Sequence, residues 1–587
     1  MKVRIRLAAA VGSAVLAAAA LSACTSDSPD TPDAAATTGA TVSVDATQSA
    51  AAVLAANTTV HETAAPSADP VSVTLSGDSA SASGDGVTAK DSIVTITAGG
   101  TYRISGTLAD GQIVVNAKDA TVVLVLDGAH VTSTTGAAIA AVEAGQLVIQ
   151  LADGSTNTLA DTTAYAEGAD VNAALFSAGD LSVAGGGSLT VTGNANDAVA
   201  AKDGLVIESG TVTVTAKDDG IRGKDYLVVR GGTIAVTAGG DGLKADNEED
   251  ADAGYVAISG GTVTVTAGGD GADAVTDLVQ TAGTVSIRSG GGAQVTPADD
   301  TSAKGLKSGV ITVLEGGKAT VDASEDAVHS DGSVRLGGVA LAAAAGDDGV
   351  HAEDALRIDA GTVRVTSSVE GIEAAHIAVA GGDTSIVSRD DGLNAAGEDP
   401  AATGGGFGEQ AGPFDATISG GTLVIDAEGD GLDSNGTASI TGGTVVVNGP
   451  AQRGNGALDV NGTFTVSGGV LAAAGSSGMA VAPGEDSAQG WLSATFDTAV
   501  PAGTTLQVTG ADGTLLATFV TAKETENLVY SSSAVTKGDK YTISSGGTAS
   551  ADRTGGLAAS GTLGSAQQIA TVTAGEAPAG GFGRRGR

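Results

Sequence analysis

Leu227-Val-Val-Arg-Gly-Gly-Thr-Ile-Ala-Val-Thr-Ala238 and Val256-Ala-Ile-Ser-Gly-Gly-Thr-Val-Thr-Val-Thr-Ala267 are two copies of one pattern. Each is a short aliphatic run, a Gly-Gly corner, and six residues alternating apolar with small polar. Alternation of period two is the mark of a strand with one buried face. The register is measurable from the acid in acid-Gly-aliphatic, where Gly is Ala in two copies. That acid falls at Asp197, Asp219 and Asp241, each 22 residues on. It recurs at Asp326, Asp348, Glu370 and Asp391, spaced 22, 22 and 21. Lys304 stands 22 before Asp326, and Asn455 and Ser477 continue the column. Wider gaps are one period plus an insertion: 29 from Asp241 to Asp270, 34 from Asp270 to Lys304, and 39 from Asp391 to Asp430.

A fixed period of about 22 residues marks a solenoid. Each period holds three short strands, such as Gly242–Asp246, Tyr255–Ser259 and Thr262–Ala267. The prediction is an all-β chain whose residues 69–484 form a right-handed parallel β-helix, with rungs about 4.8 Å apart. A calcium-binding nonapeptide roll would repeat every nine residues, and this chain does not. Residues 71–195 are strand-rich with a looser period and read as the first rungs. After about residue 485 the repeat gives way to longer strands, among them Trp491-Leu-Ser-Ala-Thr-Phe and Leu515-Leu-Ala-Thr-Phe-Val. These predict a small antiparallel cap or sandwich over 485–575, followed by a disordered tail, 576–587.

The first residues are an export address. Lys2, Arg4 and Arg6 precede an uncharged run, Leu7 to Leu21, that ends Leu21-Ser-Ala-Cys24. The run is short for a membrane span, and its end resembles the bacterial lipobox. The reading is a signal peptide over 1–24, lipid on Cys24, and a flexible Ser/Thr/Ala/Pro tether over 25–68 that holds the protein on the outer face of the cell membrane. Cys24 is the single cysteine, so an intrachain disulfide and a cysteine metal cluster are both excluded. No helical periodicity follows the leader.

Composition narrows the function. Lys plus Arg number 28 against 68 Asp plus Glu, a net charge of −40, which opposes binding to nucleic acid phosphates. With 7 Phe, 6 Tyr and 1 Trp, a wide stacking platform for sugars has little material. The acid column carries the chemistry instead. Carboxylates stacked about 4.8 Å apart repel by about 3–4 kcal/mol at an effective dielectric of ~20, so the ladder needs compensation. Three residues after the acid stand Arg222, Lys244, Lys307, His329 and His351, but in other rungs Asp273, Glu373 and Asp433. Rungs acidic at both positions call for a cation. Calcium takes six to eight oxygens and fits between carboxylates of adjacent rungs. An Asp-Gly pair is also an ordinary turn, and that reading stands beside the metal one.

The ordered motifs Asn196-Asp-Ala-Val, Lys217-Asp-Asp-Gly-Ile-Arg-Gly-Lys-Asp, Gly240-Asp-Gly-Leu-Lys-Ala-Asp, Asp347-Asp-Gly-Val-His-Ala-Glu-Asp, Val369-Glu-Gly-Ile-Glu-Ala and Arg389-Asp-Asp-Gly-Leu-Asn-Ala, with Gly100-Thr-Tyr-Arg-Ile-Ser-Gly-Thr-Leu and Leu124-Val-Leu-Asp-Gly upstream, resemble the bacterial surface carbohydrate-binding β-helix family, whose fold is similar to pectate lyases. The resemblance implies binding of cellulose or acidic pectin-type polysaccharide, calcium on the acid clusters, and no established catalysis. Lys304 and Asn455 stand where the pattern has acids. The expected calcium ligands are Asp219, Asp241, Asp246, Asp270, Asp273, Asp348, Asp391, Asp430 and Asp433. The expected sugar contacts are Lys244, Lys307, His329, His351, Tyr255 and Phe407, beside insertions at 247–253, 291–301 and 397–413 that wall a groove. Acidic chains are favoured, bridged by calcium, and the protein is expected to be a monomer. Two other readings are a polysaccharide lyase using Lys244, Lys304 or Lys307 as base, and a structural adhesin.

Overall fold

The computed structural model describes residues 45–297, 301–397 and 411–577, all within one compact unit that begins at Val42. Cys24, the leader, the first part of the expected tether, Phe407 and the last residues of the tail lie outside the described residues. The unit is all-β apart from one short helix, and 44 of its strands join a single, mostly parallel sheet.

The alternating runs become strands as expected. In Thr262–Ala267, Val263, Val265 and Ala267 point inward at 0, 1 and 3 % exposure, while Thr262, Thr264 and Thr266 face out. Through most of the stack a strand pairs in parallel with the third strand after it. Val212 lies opposite Ile234, and Ile221 opposite Leu243, each pair 22 residues apart. The insertions leave this register intact: Leu243 meets Ala272 and Ile377 meets Ala416. The second Gly of the corner has a geometric reason. Gly261 has φ +79°, and a Cβ there would sit 2.8 Å from the Gly232 carbonyl one repeat below.

Both ends of the stack are covered by antiparallel strands. At the start, Val71–Gly77 pairs with Ser79–Ser83, and Val87–Lys90 with Ile93–Ile96. At the other end, Thr525–Ser531 pairs antiparallel with both Val470–Gly475 and Trp491–Val500. A separate six-stranded sheet, including Thr505–Gly510, Leu515–Val520 and Lys540–Ser545, completes the C-terminal part. The last repeat would otherwise present open N–H and C=O groups to other chains, and the antiparallel strands close that edge.

The expected tether over 25–68 is corrected where it is described. Residues 45–67 form a strap docked on the middle strands of successive repeats. It holds the helix Ala50–Ala56, capped by Ser49 Oγ accepting the Ala52 N–H at 3.2 Å. Ala50 and Val53 pack on Val279, Ile311 and Val313, and Leu54 and Val60 pack on the cluster of Val206, Tyr226, Val228 and Tyr255. Asn57 Nδ2 donates to Asp277 at 2.7 Å, His61 Nε2 lies 2.7 Å from Ser182 Oγ, and the Ser67 N–H donates to Thr101 Oγ1 at 2.8 Å. The strap is the outer layer that makes Tyr226–Val229 and Tyr255–Ile258 buried on both faces.

The strap is therefore part of the fold's stability. Val53→Asp places a carboxylate against Val279 and Val313 and is expected to cost about 2–4 kcal/mol. Thermal unfolding measures it, and an unchanged midpoint would contradict the docking.

Candidate functional site

The acid column is built by the backbone. One carboxylate oxygen of each column aspartate accepts the main-chain N–H of the next column residue. Asp219 Oδ1 takes the Asp241 N–H at 2.9 Å, Asp241 takes Asp270 at 2.8 Å, and Asp270 takes Lys304 at 2.7 Å. Asp326 takes the Asp348 N–H at 3.0 Å, Asp391 takes Asp430 at 2.6 Å, and Asp430 takes Gly456 at 2.5 Å. The last contact corrects the column: its position after Asp430 is Gly456, one residue beyond the expected Asn455. Ser477 belongs to the cap, where its Oγ donates to Glu526 at 2.6 Å.

Beside it runs a second column, one side chain per repeat. Parallel pairing places Arg222, Lys244, Asp273, Lys307, His329, His351, Glu373, Asn394, Asp433 and Asp459 in one line. In its first half this column neutralises the first. Lys244 Nζ lies 2.5 Å from Asp241 Oδ2 and 3.3 Å from Asp219 Oδ2. Lys307 Nζ lies 3.0 Å from Asp270 and 3.2 Å from Asp273. Arg222 holds Asp246 through Nε at 3.0 Å. Lys304 approaches Glu325 at 3.4 Å and Asp326 at 3.9 Å, and His329 Nδ1 meets Asp326 at 2.7 Å. So Asp219, Asp241, Asp246, Asp270 and Asp273 all face a cation belonging to the chain. Burial would lower the Lys244 and Lys307 pKa values, but the flanking carboxylates raise both and hold the ammonium charged.

After His351 neither column carries a basic side chain. Here burial, followed by mutual repulsion, raises Asp433 to about 8. Burial also raises Asp430 to about 7 and Asp391 to about 6, with neighbouring carboxylates adding to the rise and the backbone N–H that each accepts opposing it. Asn394 sits between these repeats, 7 % exposed. Its Nδ2 donates to Glu370 Oε2 at 2.7 Å, and its Oδ1 is buried with no hydrogen-bond partner. Parallel pairing puts Asn394 in line with Asp433 and Asp459, next to the part of the first column that holds Asp391 and Asp430, so oxygen donors gather at this end of the ladder. Asn394 and Asp459 were missed by the spacing argument; their signal is the position three residues beyond the column, which parallel pairing turns into the second ladder.

The remaining expectations divide. Tyr255 is 1 % exposed, stacks on Tyr226 at 5.4 Å, and donates to the Thr58 carbonyl at 2.8 Å, so it is strap-covered core and no sugar contact. Phe414, also near an insertion, is buried. The insertion from 291 does wall a cavity of about 320 Å³ beside the acid column, lined by Val295, Pro297, Glu325, Asp347 and Arg389. A second surface lies on the outer side of the third strand. Ser188, Thr190 and Thr192 stack on Thr211, Thr213 and Thr215, then on Thr233, Ala235 and Thr237, Thr262, Thr264 and Thr266, and Thr284, Ser286 and Arg288. Every position but Ala235 and Arg288 carries a hydroxyl, and Arg288 alone carries charge.

Residues 90–349, which include the first acids of the column, match the model of the family described as carbohydrate-binding domain-containing protein. A carbohydrate-binding domain-containing protein of Acetivibrio thermocellus is 39 % identical over 137 residues, 22 % of this chain and 48 % of the relative. The chain thus spans about half the length of the curated relative it matches. A polysaccharide lyase-like protein from C. thermocellum, solved as a gadolinium derivative, is 35 % identical with a TM-score of 0.37, over 38 % of this chain and 92 % of that one.

The raised carboxylates fix a pH dependence. Asp430 and Asp433 keep their protons in the folded chain up to about 7 and about 8, while the unfolded chain loses them near 3.8. The folded state binds more protons across that window, so stability falls as pH rises. Metal-stripped protein is expected to melt lower at pH 8 than at pH 5, and the reverse order in a melting series would contradict the assignment.

Proposed function

We propose that the chain is a polysaccharide-binding protein of the bacterial surface, built as a right-handed parallel β-helix of 22-residue rungs and anchored through lipid on Cys24. The observation that carries the binding reading is that the matched stretch, 90–349, contains the first part of the acid ladder, all of the described cavity wall but Arg389, and a hydroxyl-covered sheet face. Calcium is the proposed cofactor. Asp391, Asn394 Oδ1, Asp430 and Asp433 would hold it, because they are oxygen donors that no Lys, Arg or His pairs with among the described residues. Bound there, calcium would neutralise the upper ladder and supply positive charge to which a uronate carboxylate can attach. Arg389, whose Nε and Nη2 are fixed on the Ser368 and Gly346 carbonyls, brings a guanidinium to the cavity wall and adds a second point for an acidic sugar. The threonine face suits a neutral chain such as cellulose, since it offers hydroxyls without long-range repulsion.

Binding without catalysis is the preferred reading. A lyase needs an uncharged base beside the substrate carboxylate. Lys244 and Lys307 are instead held charged between two carboxylates each, and Lys304 is drawn to Glu325 and Asp326. The chain is taken as a monomer with polysaccharide as its partner.

Affinity for polygalacturonate and for cellulose, with calcium and then with chelator, tests the reading. Polygalacturonate binding is expected to vanish in chelator and to weaken at least about tenfold in Asp433→Asn, while cellulose binding persists in both and is lost in Thr213→Glu/Thr264→Glu. Binding to neither polymer in calcium would end the carbohydrate reading.

A further inference from the structure

One group shared between the two columns has a chemistry unlike the rest. Asp348 Oδ2 lies 3.1 Å from His351 Nδ1, and Glu373 Oε2 lies 3.4 Å from the same nitrogen. One ligand atom from each of the three residues falls within 4.8 Å of the others. With bonds of about 2.0–2.1 Å to nitrogen and oxygen, two ligands of a tetrahedral ion are about 3.4 Å apart, which is the spacing found around this imidazole. We propose that Asp348, His351 and Glu373 bind a divalent transition metal of the zinc, cobalt or nickel class, at a site separate from the oxygen-only calcium cluster.

Three further contacts prepare the group for that role. Asp348 Oδ1 accepts the Glu370 N–H at 3.3 Å, which leaves Oδ2 turned to the histidine. His351 Nε2 lies 3.6 Å from Glu353 Oε1, so when a metal displaces the proton from Nδ1 the proton left on the far nitrogen faces a carboxylate. The ring is held flat against His329, 5.0 Å away and 6° from parallel. His329 itself makes the contrast. It has the same Asp three residues earlier, yet its Nδ1 faces Asp326 alone, Lys304 approaches that carboxylate at 3.9 Å, and the register neighbour below is Lys307. Only at His351 does the next repeat bring an acid, Glu373, to the imidazole. Neutral imidazole is a ligand that zinc, cobalt and nickel accept and calcium, a carboxylate and carbonyl binder, does not favour. The spacing of 3 and 22 residues resembles no zinc motif because the third ligand arrives by stacking.

The test uses the full mature chain, stripped with chelator and then kept in excess calcium so that oxygen sites are filled. Cobalt(II) is titrated in, read by visible absorption and by calorimetry. One equivalent of cobalt is expected to bind and produce the intense bands of a four- or five-coordinate ion, and zinc is expected to displace it. His351→Gln and Glu373→Gln should each weaken binding at least about tenfold, while His376→Gln, at a solvent-exposed ring paired with Asp415, leaves it unchanged. Melting curves in calcium check that the variants are folded. Absence of stoichiometric cobalt or zinc binding by the parent chain overturns the site. So does a folded His351→Gln chain that binds as tightly as the parent.

Discussion

The structure rests on a carboxylate oxygen accepting the backbone N–H of the residue stacked above it. At the acid-Gly corner of the repeat a main-chain N–H needs a partner that the strand ladder does not provide, and an aspartate one repeat earlier supplies it. Asp219, Asp241, Asp326 and Asp391 all do so. Stacked identical corners put like charges in a row, so the solution to a hydrogen-bond problem creates an electrostatic one. The second column answers it in the first half with Lys244, Lys307 and His329. In the second half it answers with more acids, and the side chains there hold protons that surface carboxylates would release.

Much of this was legible in the sequence. Period-two runs such as Thr262–Ala267 and the 22-residue return of the acid follow from parallel stacking, where every position repeats its environment. The docked strap was not foreseen, although its signal is present. Tyr226-Leu-Val-Val and Tyr255-Val-Ala-Ile are continuous apolar runs, which mark strands buried on both faces. What covers them is a low-complexity segment whose own pattern is weak, because a seven-residue helix shows too little periodicity to stand out. Tyr255 was misplaced for the same reason: proximity to an insertion along the chain says nothing about a layer arriving from residue 58. The column after Asp430 slipped by one residue because a longer loop precedes Gly456, and hydrogen bonding, rather than counting, fixes the register there.

The two candidate binding surfaces differ in the physics they offer. The acid edge is attractive to a uronate only where a cation reverses its sign, so its selectivity is tied to the unneutralised end of the ladder. The threonine face is nearly free of charge within a chain of net charge −40, and its hydroxyls repeat with the strands. A stacked fold supplies both because each strand of the repeat has its own outward row, and each row diverges independently.

On the proposed reading the ladder is self-neutralised at one end and dependent on an added cation at the other. Equilibrium dialysis of stripped protein against radioactive calcium tests it directly, comparing Asp219→Asn/Asp241→Asn with Asp430→Asn/Asp433→Asn. The account predicts that the first pair binds as many calcium ions as the parent and the second pair binds fewer. Loss of calcium in the first pair alone, or equal binding by all three chains, would contradict it.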